Sequence, residues 1–338
     1  MSENMMRTIS MSEALNEAMH EEMERDDRVF AIGEDIARNG GLFGVTKGLL
    51  PRFGAARVID SPISEAAISG AGVGAALVGS RPVVELQHFD FVTLAMDQLV
   101  NHAAKWRYMS GGAVTVPLVV RGPIANGVGL AAQHSQSLES WFVHTPGLVV
   151  IMPSTPYDAK GLLKAAIRDD NPTLMLEKRL LYTRTGEVPT GDYVVPIGVA
   201  DVKREGDDVT VVAISGGVPL ALQVARKLEP EGIDVEVIDP RTLKPLDLDT
   251  IVTSIAKTGR LVVVSEGARA GGYASEVVAR VIDAAWGSLR TAPIRVTAAD
   301  TPIPYAGPLE REVLPQVHDV MTAVRNVMEK GRTQHVAV

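Results

Sequence analysis

Residues 57–86 read RVIDSPISEAAISGAGVGAALVGSRPVVEL, and this run decides the fold. Arg57-Val58-Ile59-Asp60 has the composition of a short buried strand, and Pro82-Val83-Val84-Glu85-Leu86 repeats it downstream. Between them, Ser64 to Val78 is small and helix-compatible, so the run is strand, helix, strand, the unit of a parallel sheet. Gly70 and Gly74 stand four apart, beside a second stripe of Ala67, Ala71 and Ala75. Each glycine costs a helix about 1 kcal/mol relative to alanine, so this helix is expected to let another backbone approach closely, as in a helix–helix or subunit contact. Gly70-Ala71-Gly72-Val73-Gly74-Ala75 also satisfies a loose dinucleotide pattern. That fingerprint needs its glycines in the turn between strand and helix. Here the helix begins near Ser64 and the glycines fall inside it, which argues against a dinucleotide.

Outward from this run, Met11, Leu15, Ala18, Met19 and Met23 keep helical spacing. Val29 to Ile32 reads as a strand ended by Gly33, with a glycine-rich loop from Asn39 to Gly44. Thr93 to Tyr108 is expected to be helical, and Val114 to Val120 and Leu148 to Met152 to be strands. Thr155, Pro156 and Asp158 form an N-cap, a first-turn proline and an acidic third position, which start a helix running to Arg168. Thr173 to Glu177 is the next strand. The composition then changes from Thr183 to Asp208, where prolines, glycines and mixed charges mark a linker. Beyond it, strands at Val209–Ile214, Val235–Ile238, Leu261–Ser265 and Ile294–Thr297 alternate with helices at Pro219–Leu228, Leu248–Ala256 and Tyr273–Ala285. The fold class is therefore α/β with two domains, each a mainly parallel sheet flanked by helices. They are expected at 1–188 and 206–338, with a linker at 189–205.

The chain has 338 residues, 46% of them hydrophobic but only 4% aromatic, so the core is aliphatic. A net charge of -8 gives no basic footprint for nucleic acid. With no cysteine, thiolate catalysis and disulfides are excluded. No stretch reaches the roughly 18 apolar residues that a membrane span needs. A cytoplasmic protein that binds neither membrane nor nucleic acid is the expectation.

Several side chains stand where chemistry can occur. Glu65 opens the Ser64–Val78 helix; taken alone, it is a first-turn carboxylate that complements the helix dipole. His134 follows a glycine-bearing loop, where reactive groups are often held on a rigid scaffold. A hydrolase reading would join Ser135 or Ser137 to His134 and Asp90, but adjacent residues seldom make that geometry and no nucleophile elbow is present. Phe91 suits either the core or stacking on a flat heterocycle.

Taken together, Gly33-Glu34-Asp35, Asp60 to Glu65, Arg81 to Glu85, Ala103-Ala104-Lys105, Tyr108 to Gly112, Arg121-Gly122-Pro123, Ala131 to Gln136 and Pro153 to Leu163 resemble the beta subunits of pyruvate and branched-chain 2-oxo-acid dehydrogenases. Acetoin dehydrogenase beta subunits share the pattern, in the same order over nearly the whole chain. The resemblance implies a transketolase-like pyrimidine-binding domain followed by a transketolase C-terminal-like domain. It implies thiamine diphosphate as cofactor, shared with an alpha subunit that supplies the Mg2+ site in an α2β2 heterotetramer. The alpha signature, Gly-Asp-Gly with a downstream Asn, is absent here.

By the same resemblance, Glu65 is the cofactor-activating glutamate, which shares a proton with the pyrimidine ring nitrogen. Phe91 is the aromatic that packs on that ring, and Ile63 lines the same turn. His134 is the histidine near the reacting centre, serving acyl transfer to lipoamide. A monovalent cation site, potassium in some relatives, would fall on Leu118, Ala166, Ile167, Asp169 and Asn171. The implied activity is oxidative decarboxylation of a small 2-oxo acid, pyruvate favoured, with acyl transfer to the lipoyl acyltransferase core. Branched-chain 2-oxo acids and acetoin are the alternative substrates. A non-catalytic assembly subunit is the alternative from another class, and the presence of both Glu65 and His134 counts against it.

Overall fold

In this computed structural model, which describes residues 5–334, local capping sets where the first helix begins. Residues 1–4 and 335–338, the outer ends of the two expected domains, lie outside the described residues. Ser10 Oγ accepts from Glu13 N at 3.2 Å, and the Glu13 carboxylate answers Ser10 N at 2.7 Å, a full capping box. Thr155 Oγ1 likewise accepts from Asp158 N at 3.1 Å, and Pro156 opens the helix that follows. The Asp158 carboxylate turns back to the Thr155 hydroxyl, so the two side chains brace each other.

In chain order the elements are β1 (Met6–Ser10), α1 (Met11–Arg25), β2 (Val29–Gly33), α2 (Leu49–Phe53), β3 (Val58–Asp60), α3 (Glu65–Leu77), β4 (Arg81–Glu85), α4 (Trp106–Met109), β5 (Val119–Ile124), α5 (Glu139–Val143), β6 (Val149–Ile151), α6 (Pro156–Arg168), β7 (Thr173–Lys178) and β8 (Thr185–Pro189). They continue as β9 (Asp201–Arg204), β10 (Val209–Ala213), α7 (Gly217–Leu228), β11 (Val235–Asp239), β12 (Thr242–Lys244), α8 (Leu248–Thr258), β13 (Leu261–Ala268), α9 (Tyr273–Ala285), β14 (Ile294–Ala298), α10 (Gly307–Val313) and α11 (Val317–Gln334).

The chain forms two compact units. The first comprises Met1–Ala125, Trp141–Ile197 and Leu243–Pro245; the second comprises Asn126–Ser140, Gly198–Thr242 and Leu246–Val338. The main break, between Ile197 and Gly198, falls inside the linker expected at 189–205. The division is not a single cut, however, because the short segment 126–140 clusters with the second unit.

The first unit holds a sheet in the order β12-β6-β7-β5-β4-β2-β3, parallel from β6 through β3. Met11, Leu15, Met19 and Met23 of α1 join Val83, Val119, Leu163 and Ile167 in its core. Lys160 and Lys164 of α6 are fully buried, with ammonium groups held by Glu17 and Glu21 of α1 and by Asp192. Buried ammonium ions persist only when paired in this way. The second unit holds a five-stranded sheet, β14-β13-β10-β11-β9, in which only β9 is antiparallel. Val211, Val237 and Val264 pack there against Ala221, Val224 and Val324 from α7 and α11.

Two expectations about elements are corrected. The strand expected over Val114–Val120 begins at Val119, since Pro117 has no N–H for a ladder and Val116 N is taken by Asp170 O. The helix expected over Thr93–Tyr108 is divided into a 3-10 turn (Phe89–Ala95), a π turn (Asp97–Ala103) and α4. In α3, the glycine that packs closely on the sheet of its own chain is Gly72. A Cβ on Gly72 would stand 2.7 Å from Val84 Cγ2 and 3.1 Å from Leu118 Cδ1, so the helix lies directly on the sheet. A Cβ on Gly74 would meet nothing within 4 Å.

Gly72→Ala should therefore lower stability by about 1–3 kcal/mol through overpacking, because Val84 has little freedom to move. Gly74→Ala should raise the stability of the chain by up to about 1 kcal/mol through helix propensity. Thermal unfolding of the two variants checks this; equal shifts would contradict the packing of α3 on β4.

Candidate active site

β3, β2 and β4 lie side by side in the parallel sheet, and the carboxyl edge of such sheets is where ligands are held. Ser61 N donates to Gly33 O at 2.9 Å, and Asp60 Oδ1 accepts from Ala37 N at 2.6 Å. These bonds tie together the turns that leave β2 and β3. Ile63 sits in the second of these turns with its side chain exposed. Glu65 is buried as the first residue of α3, where a helix presents unpaired backbone N–H groups.

Phe91 follows β4 in the Phe89–Ala95 turn, which packs on α3. Its half-buried ring meets the His88 ring edge-on, with centroids 6.5 Å apart. Glu34, directly after β2, adds a second buried carboxyl group to this edge. Burial, and then the neighbouring charges of Glu65 and Asp35, push its pKa up. Its Oε1 has no hydrogen-bond partner among the described residues. A buried carboxyl oxygen with no hydrogen-bond partner among the described residues, on the edge that also carries Ile63, Glu65 and Phe91, suits a ligand with a polar edge.

Beside this group the sheet edge is locked by a buried ion pair. Arg121 of β5 donates to Glu177 of β7 at 2.8 and 2.6 Å and to Glu85 of β4 on its other side. Burial disfavours each charge on its own. The two carboxylates outweigh that for Arg121 and hold its pKa above the ordinary value, while burial leaves Glu85 shifted upward. Tyr182 donates to Glu177 and stacks on Phe43 at 4.9 Å, while Leu42 N donates to Glu85 Oε1 at 3.4 Å. The glycine-rich loop after β2 is thus fixed to the same network.

Ile63, Glu65 and Phe91 belong to the first compact unit; His134, half-buried, belongs to the segment that clusters with the second. The five residues expected at a cation site come together around the turn from α6 to β7. Leu118 O accepts from Thr173 N at 2.8 Å, and Asn171 N and Nδ2 both donate to Asp169 Oδ1. Arg81 Nη1 already donates to Ile167 O at 3.2 Å and to Asp169 O at 3.0 Å. Each carbonyl keeps a second lone pair, so an ion would share these oxygens with the guanidinium. Among the described residues, no cluster of three or more His, Cys, Asp or Glu side chains offers a metal site.

Residues 7–185 match the transketolase pyrimidine-binding domain, and residues 198–320 match the transketolase C-terminal domain. The pyruvate dehydrogenase E1 component subunit beta of Rhizobium meliloti (strain 1021) is 48% identical over 326 residues, covering 96% of this chain and 71% of that one. The 2-oxoisovalerate dehydrogenase subunit beta of Bacillus subtilis (strain 168) is 47% identical, covering 96% and 100%. The chain belongs to the E1 beta-subunit family of the 2-oxo-acid dehydrogenases. The acetoin:2,6-dichlorophenolindophenol oxidoreductase subunit beta of Bacillus subtilis (strain 168) is 45% identical, covering 96% and 98%. A solved structure titled split gene transketolase, inactive beta4 tetramer, shares the fold with a TM-score of 0.78 at 22% identity, covering 96% and 99%.

Glu65 was expected at this edge from the sequence; Glu34, on the same edge, was not. The available signal was Gly33-Glu34-Asp35 at the end of a strand, the position that parallel sheets give to ligand contacts. A carboxyl group with a raised folded pKa binds more protons folded than unfolded, so stability falls as pH rises from about 4.3 through that pKa. Glu34→Gln should remove this fall and raise stability at neutral pH. Thermal midpoints measured across that range decide it, and a variant that keeps the wild-type slope would assign the slope elsewhere.

Proposed function

We propose that this chain holds the aminopyrimidine end of thiamine diphosphate in the decarboxylating component of a 2-oxo-acid dehydrogenase complex, with pyruvate as the favoured substrate. The observation that carries this reading is the buried Glu65 in the first turn of α3, with the buried carboxyl group of Glu34 on the same sheet edge. When bound, the cofactor supplies an electron sink for decarboxylation. The part of Glu65 is to hold and return a proton at the pyrimidine ring nitrogen, and its burial keeps bulk water out of that exchange. Phe91 and Ile63 give the ring an apolar surface to rest on. His134 serves as a hydrogen-bond or proton donor during acyl transfer to lipoamide.

An alpha subunit in an α2β2 heterotetramer provides the diphosphate and Mg2+ site, in keeping with the absence of a Gly-Asp-Gly signature from this chain. The lipoyl acyltransferase core then receives the acyl group. No helix among the described residues is long and apolar enough to cross a membrane. A cytoplasmic site of action belongs to the same proposal. The carbonyls around Ile167 and Asp169, with Leu118, Ala166 and Asn171, hold potassium next to Arg81. Replacing potassium with choline should then lower the thermal midpoint; an unchanged midpoint would remove the ion.

The relatives named for pyruvate, 2-oxoisovalerate and acetoin fall between 45% and 48% identity, so overall likeness does not choose the substrate. One methylene in an apolar pocket is worth only about 1–3 kcal/mol of selectivity. Co-expression with the alpha subunit and cofactor-dependent dye reduction by pyruvate, 2-oxoisovalerate and acetoin tests the choice, with the highest kcat/KM expected for pyruvate. In the same assay Glu65→Gln should lower turnover by at least about 10²-fold, the range for a lost acid–base group. Near-normal turnover would remove Glu65 from the chemistry, and silence from a cofactor-loaded heterotetramer with all three substrates would favour an assembly role.

A further inference from the structure

The segment Asn126–Ser140 carries His134 and clusters with the second unit, although in sequence it interrupts the first. Its backbone enters the left-handed region at Gly127 (φ 89°), Gly129 (φ 74°) and Ala131 (φ 61°). Ala131 has a Cβ, and a residue with a Cβ keeps that conformation only where its surroundings over-determine it. At its first end a buried carboxylate from outside the segment does this. Glu310, in α10, accepts from Gly127 N at 2.7 Å through Oε1 and from Gly129 N at 2.9 Å through Oε2. At the other end, buried Glu139 accepts from Ser137 Oγ at 2.7 Å. His134 lies between these two anchors.

The bond pair at Glu310 is specific to a carboxylate. Two backbone N–H groups, two residues apart, each need an acceptor oxygen, and an ionised carboxyl group supplies both in charge-assisted bonds. An amide of the same shape has one acceptor oxygen and would turn its NH2 toward the other N–H. We infer that Glu310, more than 170 residues downstream in sequence, is a positioning residue for His134, clamping the loop that presents the imidazole. The link to catalysis rests on the role proposed for His134; the clamp does not.

Amide hydrogen exchange on the full chain tests the clamp. Glu310→Gln should speed exchange at Gly127 and Gly129 about tenfold, the effect of losing a charge-assisted bond, without changing the β10, β11 and β13 core. Glu310→Asp, which keeps both oxygens, should recover part of the protection. Unchanged exchange in 126–140, or a rise spread through the whole unit, would overturn the clamp. With the alpha subunit present, Glu310→Gln should impair acyl transfer to a lipoyl domain more than dye reduction, and His134→Ala should do the same. The double variant should be no slower than His134→Ala alone, because residues acting as one unit are non-additive. Independent, additive losses would overturn the positioning of His134. Wild-type acyl transfer by His134→Ala would instead refute the role proposed for His134, while the exchange data would still decide the clamp.

Discussion

A guanidinium that leaves water must find its compensation in the protein, and Arg121 finds it in Glu85 and Glu177 on the strands to either side. Left unpaired at this depth, the charge would cost several kcal/mol, so β4, β5 and β7 are constrained to end in register. Through Glu85 and Tyr182 the same network reaches Leu42 and Phe43, fixing the loop that follows β2. The carboxyl edge of the first sheet is thus a rigid frame, and Glu34, Ile63, Glu65 and Phe91 are all carried on turns leaving neighbouring strands of it. Precise presentation of a few groups requires such a frame beneath the loops.

That edge is also where the molecule gives up stability. Glu34 is buried with an unanswered oxygen, next to the charges of Glu65 and Asp35, in a position that apolar packing would fill more favourably. An under-satisfied buried group beside a well-satisfied network is a common mark of a working site rather than a packing fault.

The parts of the fold that were legible in the sequence are those governed by nearby residues. Apolar spacing from Met11 gave the start of α1, capping at Thr155 gave the start of α6, and the helix expected over Tyr273–Ala285 has those bounds in α9. Where the reading slipped, a non-local partner decided. Val116 pairs with Asp170 instead of extending β5. The glycine of α3 that meets the sheet is Gly72, which nothing in the pattern distinguishes from Gly70 or Gly74. The run from Phe89 to Met109 changes helical type twice, which periodicity alone does not register.

The sequence by itself determined the α/β alternation, which is written in short-range order, in turns, caps and the spacing of apolar side chains. It also carries the family motifs, and the resemblance they make is what marks Glu65, Phe91 and His134 as candidates. Only the tertiary structure decided that Arg121 bridges β4 and β7, that Glu34 is buried on the same edge as Glu65, that Arg81 covers two of the expected cation carbonyls, and that the His134 segment is tied to Glu310. Each of these brings together groups that lie far apart in the sequence. Whether two such groups meet depends on how the strands are ordered and how deeply each is buried, neither of which is encoded in their spacing.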